Sequence, residues 1–323
     1  MLKKIVLISF ALFLFACGSN EVRMPHQVSL SSSTKTINEV DLLDIAVVLF
    51  DPGVPEGEID KDVLEDLIND GTFVHIRRTE SRYMAIHLRD TLQDSGFWGS
   101  VWVTPNRSLV ADLEIMGQIL HSDGDSLSLD IHVLDASGET WLDRNYKMST
   151  AAGSFNRNLY PNKDPYQDVF NRIANDLANI QSRLDPGEGQ ELRTISKLKY
   201  AEDISPESFD GYLIRNRDRI SLNRLPAEDD PQFSRTQRAR DREHTFIEAL
   251  NEHYVNFYNQ SSESYDGWRE YSREESIAIR ELESSSRWRT GIGVATIIAS
   301  IVYDSNSNGD FNSRVVRDTM MYT

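Results

Sequence analysis

The sequence predicts an α+β fold, a mostly antiparallel sheet with two helices on one face, followed by a helical hairpin region. Three observations carry this. Leu127, Leu129, Ile131 and Val133 alternate with Ser126, Ser128, Asp130 and His132, the period of a strand with one buried face. Tyr83, Met84, Leu88 and Leu92 recur three or four residues apart, as on one stripe of a helix. The stretches His121-Ser122-Asp123-Gly124-Asp125 and Asp135-Ala136-Ser137-Gly138-Glu139 supply glycine where a hairpin turn needs positive φ.

The elements follow in order. Residues 45–50 are an unbroken apolar run stopped by Asp51-Pro52-Gly53, a strand buried on both faces. A short helix over 61–69 sits in an acidic stretch, and a longer one over 79–95 is closed by Gly96. Four strands come next, over 100–103, 111–120, 126–134 and 140–148. A second long helix carries Tyr166, Val169, Phe170, Ile173, Ala174, Leu177 and Ile180 and ends before Asp185-Pro186-Gly187. Two helices and about five strands suffice for one core, so residues 41–184 form an α+β sandwich domain expected to fold alone.

Residues 190–323 are a charged helical region. Over 235–258, Phe246, Leu250, Tyr254 and Phe257 share a face, and Asn259-Gln260-Ser261-Ser262 makes a break. Tyr265, Trp268, Ser272, Glu275, Ile279, Leu282 and Ser286 then recur at spacings of three and four. Two amphipathic helices joined by a short loop predict an antiparallel hairpin. Its stripe is narrow and partly polar and needs cover from the first domain, another copy or a partner. Trp268, Tyr265 and Ile279 are therefore candidate partner-contact residues. Residues 291–303 carry no charge but are too few for a membrane span, which leaves a buried helix, a re-entrant segment or an oligomer core. Residues 314–323 read as the opening of a further amphipathic helix, as in a fragment of a longer chain.

Composition excludes several classes. The 34 basic and 51 acidic residues give a net charge of −17, the wrong sign for general nucleic-acid binding, which neutralises phosphates with Lys and Arg. One cysteine and seven histidines leave no basis for a disulfide scaffold or a Cys-rich zinc site, and no cofactor is expected.

The N-terminus gives an address. Lys3 and Lys4 precede an apolar run over 5–16, a signal peptide by length and flanks, too short at about 1.5 Å per residue to cross a hydrocarbon core of about 30 Å. It ends Leu14-Phe15-Ala16-Cys17, which resembles the bacterial lipobox, with Phe15 bulkier than the usual residue there. The resemblance implies cleavage after Ala16 and acylation of Cys17, the lipidation site, several acyl chains together giving a stable anchor. Gly18 stands where inner-membrane lipoproteins carry Asp, which implies the outer membrane, the body facing the periplasm. The mature chain would hold 32 basic against 51 acidic residues, a charge of −19, so attachment to lipid rests on the acyl chains rather than on a basic patch. Residues 17–40, with Pro25 and Ser31-Ser32-Ser33, read as a flexible tether.

From 41 to 184 the element order, with Asp94-Ser95-Gly96-Phe97-Trp98-Gly99-Ser100-Val101 and Ala111-Asp112-Leu113-Glu114-Ile115-Met116-Gly117, resembles periplasmic lipoproteins of the curli-secretion and transporter-auxiliary type. The resemblance covers under half the chain and includes no catalytic signature. It implies a non-enzymatic adaptor, often ring-forming, that assists export or envelope assembly. The paired membrane strands of the curli channel have no counterpart in this sequence.

Four other motifs compete with that reading. Gly124-Asp125-Ser126-Leu127 spells the tetrapeptide of a lipase and esterase family, and Asp241-Arg242-Glu243-His244 has the spacing of its acid and base. Ser126, however, opens a hairpin strand rather than a strand-to-helix turn. Asp304 to Asp310 matches half a calcium loop but has Val315 where a bidentate Glu is needed. No His-Glu-x-x-His occurs, and His244 and His253 are nine apart, so no zinc ligand set is expected. Between Arg215 and Arg242 eight arginines face five acids, either a docking strip for phosphate or carboxylate groups or a solvated face with internal ion pairs. The expected function is thus an adaptor or scaffold lipoprotein that self-associates or binds an envelope protein. A glycan- or lipid-binding module is the alternative, and a GDSL-like esterase is the third reading.

Overall fold

The structure is a computed structural model that describes residues 21–23, 27–33, 38, 41–150, 153–156, 158, 163–217 and 219–284. Its elements are strand β1 (Glu21–Arg23), β2 (Ile45–Val48), helix α1 (Lys61–Asn69), α2 (Val74–Ser95), β3 (Val101–Thr104), β4 (Leu113–Ser122), β5 (Ser126–Asp135), β6 (Thr140–Ser149), α3 (Gln167–Gln181), α4 (Glu188–Ile204), the single turn α5 (Pro206–Phe209), β7 (Leu213–Asn216), β8 (Arg219–Leu222) and α6 (Pro231–Ser284).

The fold is α+β. Strands run in the order β3-β2-β4-β5-β6, with the short β1 outside β6, and β7–β8 form a separate hairpin. Pairing is mixed, with the long ladders antiparallel as expected. β4–β5 and β5–β6 are antiparallel hairpins, whereas β2 is parallel to both β3 and β4, and β1 is parallel to β6. The physical reason is the crossover: α1 and α2 carry the chain from β2 back to the same end, so β3 must run parallel to it.

Leu113, Ile115 and Ile119 of β4 and Leu127, Leu129, Ile131 and Val133 of β5 face α2 and α3, which contribute Met84, Leu88, Leu92, Phe170, Ile173 and Leu177 to the main core. Gly117 is required there, because a Cβ would press into the Phe50 ring. The other face of β2 and β3 is also covered. Ala46, Trp102, Val110 and Ala111 pack with Tyr200 of α4 and Ile247 of α6 in a second cluster.

Two sequence expectations change. Residues 190–284 do not make a helical hairpin, because α6 is one helix of 54 residues. The hydroxyls of Ser261 and Ser262 bond back to the carbonyls of Phe257 and Asn259, so the polar run at 259–262 stays helical instead of breaking it. The stretch 17–40, expected as a tether, also contains packed chain, with Glu21–Arg23 as β1 beside β6. Residues 27–33 lie along α3, where Asn171 donates to the Val28 carbonyl at 2.7 Å and Asn175 accepts from Ser31 N–H and donates to the Ser29 carbonyl at 2.7 and 2.9 Å. Side-chain amides on α3 satisfy the backbone that composition alone reads as free.

Candidate functional site: a helix seated across both ends of the sheet

Seat positions on α6 recur every seven residues, His244, Asn251, Tyr258 and Tyr265 on one line and Arg240, Ile247, Tyr254 and Ser261 beside it. This seam is largely polar and overlaps the expected apolar face only in part, since Tyr254 and Phe257 pack against the main core while Phe246 is 68% exposed. Arg240, Asn251, Tyr258 and Tyr265 each meet a polar partner on the body.

At the end of the sheet where β4 begins, Asp44 and Asp112 stitch β2 to β4. Asp44 N–H donates to Asp112 Oδ2 at 2.9 Å, and Asp112 N–H donates to the Asp44 carbonyl at 2.9 Å. Arg193 of α4 lies 3.6 and 3.7 Å from the two carboxylates, and Arg240 of α6 donates to the Val110 carbonyl with its guanidinium 3.9 Å from Asp112. Burial, with Asp44 adding repulsion, pushes Asp112 up to about 6 against the pull of Arg240 and Arg193. Next along the helix, Asn251 accepts from Val103 N–H at 2.8 Å and donates to the Val103 carbonyl at 3.1 Å. Its amide therefore caps the open edge of β3 as a neighbouring strand would.

At the other end, by the β4–β5 turn, the junction is charged and buried. Arg269 has no exposed side-chain surface and forms a fork–fork pair with Asp164, Nη1 to Oδ1 at 2.9 Å and Nη2 to Oδ2 at 2.8 Å, with Asp266 as a further acceptor. Its guanidinium lies 4.3, 5.2 and 5.6 Å from the ring centres of Tyr265, Tyr166 and Tyr83. Burial alone would raise Asp164, but Arg269 overrides it and holds that carboxyl well below the ordinary range. Tyr265, 4% exposed, donates to Glu80 Oε1 at 2.7 Å, and Ser122 donates to the same oxygen at 2.5 Å. Glu80 Oε2 has only Arg77, at 3.8 Å, and burial pushes this carboxyl up. Tyr258 stacks on Tyr83 at 4.4 Å and meets His87 Nδ1 at 2.9 Å. Farther along, Arg273 and Arg280 both reach Asp125.

These contacts give the lipase-like tetrapeptide structural roles in the helix seat. Gly124, with φ +82°, lies where a Cβ would collide with the Arg269 carbonyl, Asp125 holds Arg273 and Arg280, and Ser126 bonds Asp123 at 3.2 Å. His244 instead packs edge-on to Trp102 at 4.4 Å beside β3. Burial, together with Arg240, pushes it down. Ser126 and His244 thus serve different ends of the helix seat.

Of the candidate partner-contact residues, Tyr265 is spent on Glu80, Trp268 is half-buried and stacks on Tyr265 at 5.9 Å, and Ile279 is half-buried. Cys17, the uncharged run 291–303 and the calcium-like loop at 304–310 lie outside the described residues. Among the described residues no group of His, Cys, Asp and Glu could hold a metal ion, and no helix is long and apolar enough to cross a membrane. Sequence reasoning missed Glu80, Arg269, Asp164 and Asn251. The signal for Glu80 was present, since it shares the buried stripe of Tyr83, Met84 and His87.

The arginine-rich stretch falls beyond the Asp112 end, on β7–β8 and the start of α6. Part of it is internal: Arg215 pairs with Glu202, Arg219 with Glu139 at 2.7 Å, and Arg224 stacks on Tyr212 at 4.0 Å. Arg217, Arg238 and Arg242 are exposed, as are Ile204 at 53%, Ile214 at 41% and Leu225 at 65%. Comparisons with family models, with curated proteins and with solved structures found no match.

Proposed function

We propose that this chain is a non-enzymatic outer-membrane lipoprotein, an adaptor or scaffold in export or envelope assembly, anchored through acylated Cys17 and facing the periplasm. One observation carries the reading: α6 connects two unlike ends of the molecule at a fixed distance. Between Arg240 at Asp112 and Arg280 at Asp125 lie 40 helical steps, about 60 Å at 1.5 Å each. One end is the β4–β5 turn, where Arg273 and Arg280 reach Asp125. At the other, β7–β8, the start of α6 and the segments beside them carry the exposed Arg217, Arg238 and Arg242 and the exposed Ile204, Ile214, Leu225 and Phe246, in a strongly acidic chain. Exposed apolar side chains grouped with arginine have the composition of a protein contact surface.

The charged groups at the helix junction serve this role structurally, fixing the helix in one position on the body. The test is photocrosslinking in intact cells from a reactive residue at Phe246. The expected result is one discrete adduct that disappears when Arg238 and Arg242 are both changed to Glu. Adducts that survive those changes, or none at all, would remove the adaptor reading.

A further inference from the structure

The two ends of the sheet carry surfaces of opposite charge. β2 runs parallel to β4, with Ile45 opposite Leu113 and Asp51 bridged to Gln118, so the chain leaves β2 toward the β4–β5 turn. α2 sets out from that same end, where Ser122 donates to Glu80. α1, between them, therefore stands at the β4–β5 end, and Arg78 fixes its approach by donating to the Pro55 and Gly57 carbonyls at 3.0 and 2.7 Å. Residues 56–70 hold seven acids and one lysine. β7–β8 stand at the opposite end, where Ile220 N–H donates to the Ser137 carbonyl at 2.7 Å in the β5–β6 turn, and the first turns of α6 reach that end with Arg240 on the Val110 carbonyl. The ten residues of β4 hold the two ends about 30 Å apart at about 3.4 Å per residue, out of reach of each other within one copy.

α1 is amphipathic, yet its apolar stripe is only partly covered. Val63 and Leu64 are 42% and 36% exposed, and Leu67 and Ile68 are half-buried. A helix of nine residues is marginal alone and gains its stability by packing such a stripe. Asp62 and Asp66 border the stripe four residues apart, a spacing of about 6 Å. On α6, Arg238, Arg242 and Phe246 recur at the same spacing of four, and all three are exposed. Two carboxylates beside apolar side chains thus match two guanidinium groups beside a ring. We propose that α1 of one copy packs on the Arg238–Phe246 stripe of another, a head-to-tail contact between copies of this chain. This contact rests on the adaptor reading, in which that stripe is a contact surface, and supplies its occupant.

The test is sedimentation velocity of the purified chain of residues 17–323 carrying Cys17→Ser, which keeps lipid out of the measurement. Species larger than one copy are expected at low salt and should revert to single copies at about 1 M salt, where the screening length falls to about 3 Å. Asp62→Lys with Asp66→Lys, or Arg238→Glu with Arg242→Glu, should each leave single copies. An equimolar mixture of these two variants should assemble again, because each carries the charges that the other now accepts. A parent that stays a single copy, variants that assemble as the parent does, or a mixture that stays dissociated overturns the contact. The crosslink from Phe246 separates the two readings. An adduct that is lost with Arg238→Glu and Arg242→Glu but whose mass is not twice that of the chain overturns the second copy and keeps the adaptor, whereas adducts that survive those changes remove both.

Discussion

Single residues decide how firmly α6 is held. Arg269 and Asp164 are each buried and complete each other, so loss of one leaves the other as an unpaired buried charge. Arg269→Met should cost about 3–5 kcal/mol in urea unfolding, and adding Asp164→Leu should recover much of it. Asp112 acts in the opposite sense through pH. Its folded pKa is raised above the unfolded value of 3.8 to about 6, so its contribution is fully present below pH 3.8 and lost as pH rises through 6. The shift corresponds to about 3 kcal/mol at full effect, because each pKa unit is worth about 1.4 kcal/mol. Unfolding curves from pH 4 to pH 7 should therefore decline more steeply in the parent than in Asp112→Asn, and equal slopes would show that Asp112 does not titrate in this window. Gly124→Ala combines a positive φ with a collision against the Arg269 carbonyl, and it should loosen the end of α6 more than the body, as read by hydrogen exchange.

At the level of elements, the sheet and its two covering helices were legible because period and burial agree there. α1 matches the expected span, 61–69, and β4, β5 and β6 lie within two residues of theirs. α2 begins five residues earlier than expected because His75, Arg77 and Arg78 look like loop in sequence, although Arg77 is buried beside Glu80. The seat of α6 was illegible for a related reason. Hydrophobic period points to Phe246 and Leu250, but the body meets the helix with carboxylates, a strand edge and a backbone carbonyl, which select Arg240, Asn251 and Arg269. The boundary at 184 likewise divides what packing unites, since Ala46 and Trp102 are covered by Tyr200 and Ile247, and Glu80 and Asp164 by Tyr265 and Arg269. A chain ending at 184 would expose that second cluster and strip Asp164 of Arg269 and Glu80 of Tyr265. It should bind a hydrophobic dye and unfold with low cooperativity, whereas a chain ending at 284 should unfold in one sharp transition.

For the whole molecule, the β4–β5 turn and the exposed basic and apolar end stand apart because one helix fixes their separation. Under the proposed lipid anchor, Cys17→Ser should remove the protein from the outer-membrane fraction, and a variant still firmly in that membrane would contradict acylation at this position. Whatever the partner, an adaptor of this design needs α6 to be continuous and fixed. The most direct test places spin labels at Arg238→Cys and Glu274→Cys, both exposed on α6, in a Cys17→Ser background and measures the distance between them by pulsed electron resonance. A single helix puts these positions 36 steps apart, so a narrow distribution centred near 54 Å is expected at about 1.5 Å per residue. A broad distribution, or a peak near about 17 Å, would contradict it, because folded back at 259–262 the two positions would lie about 10 Å apart across the packed helices and about 13 Å apart along them.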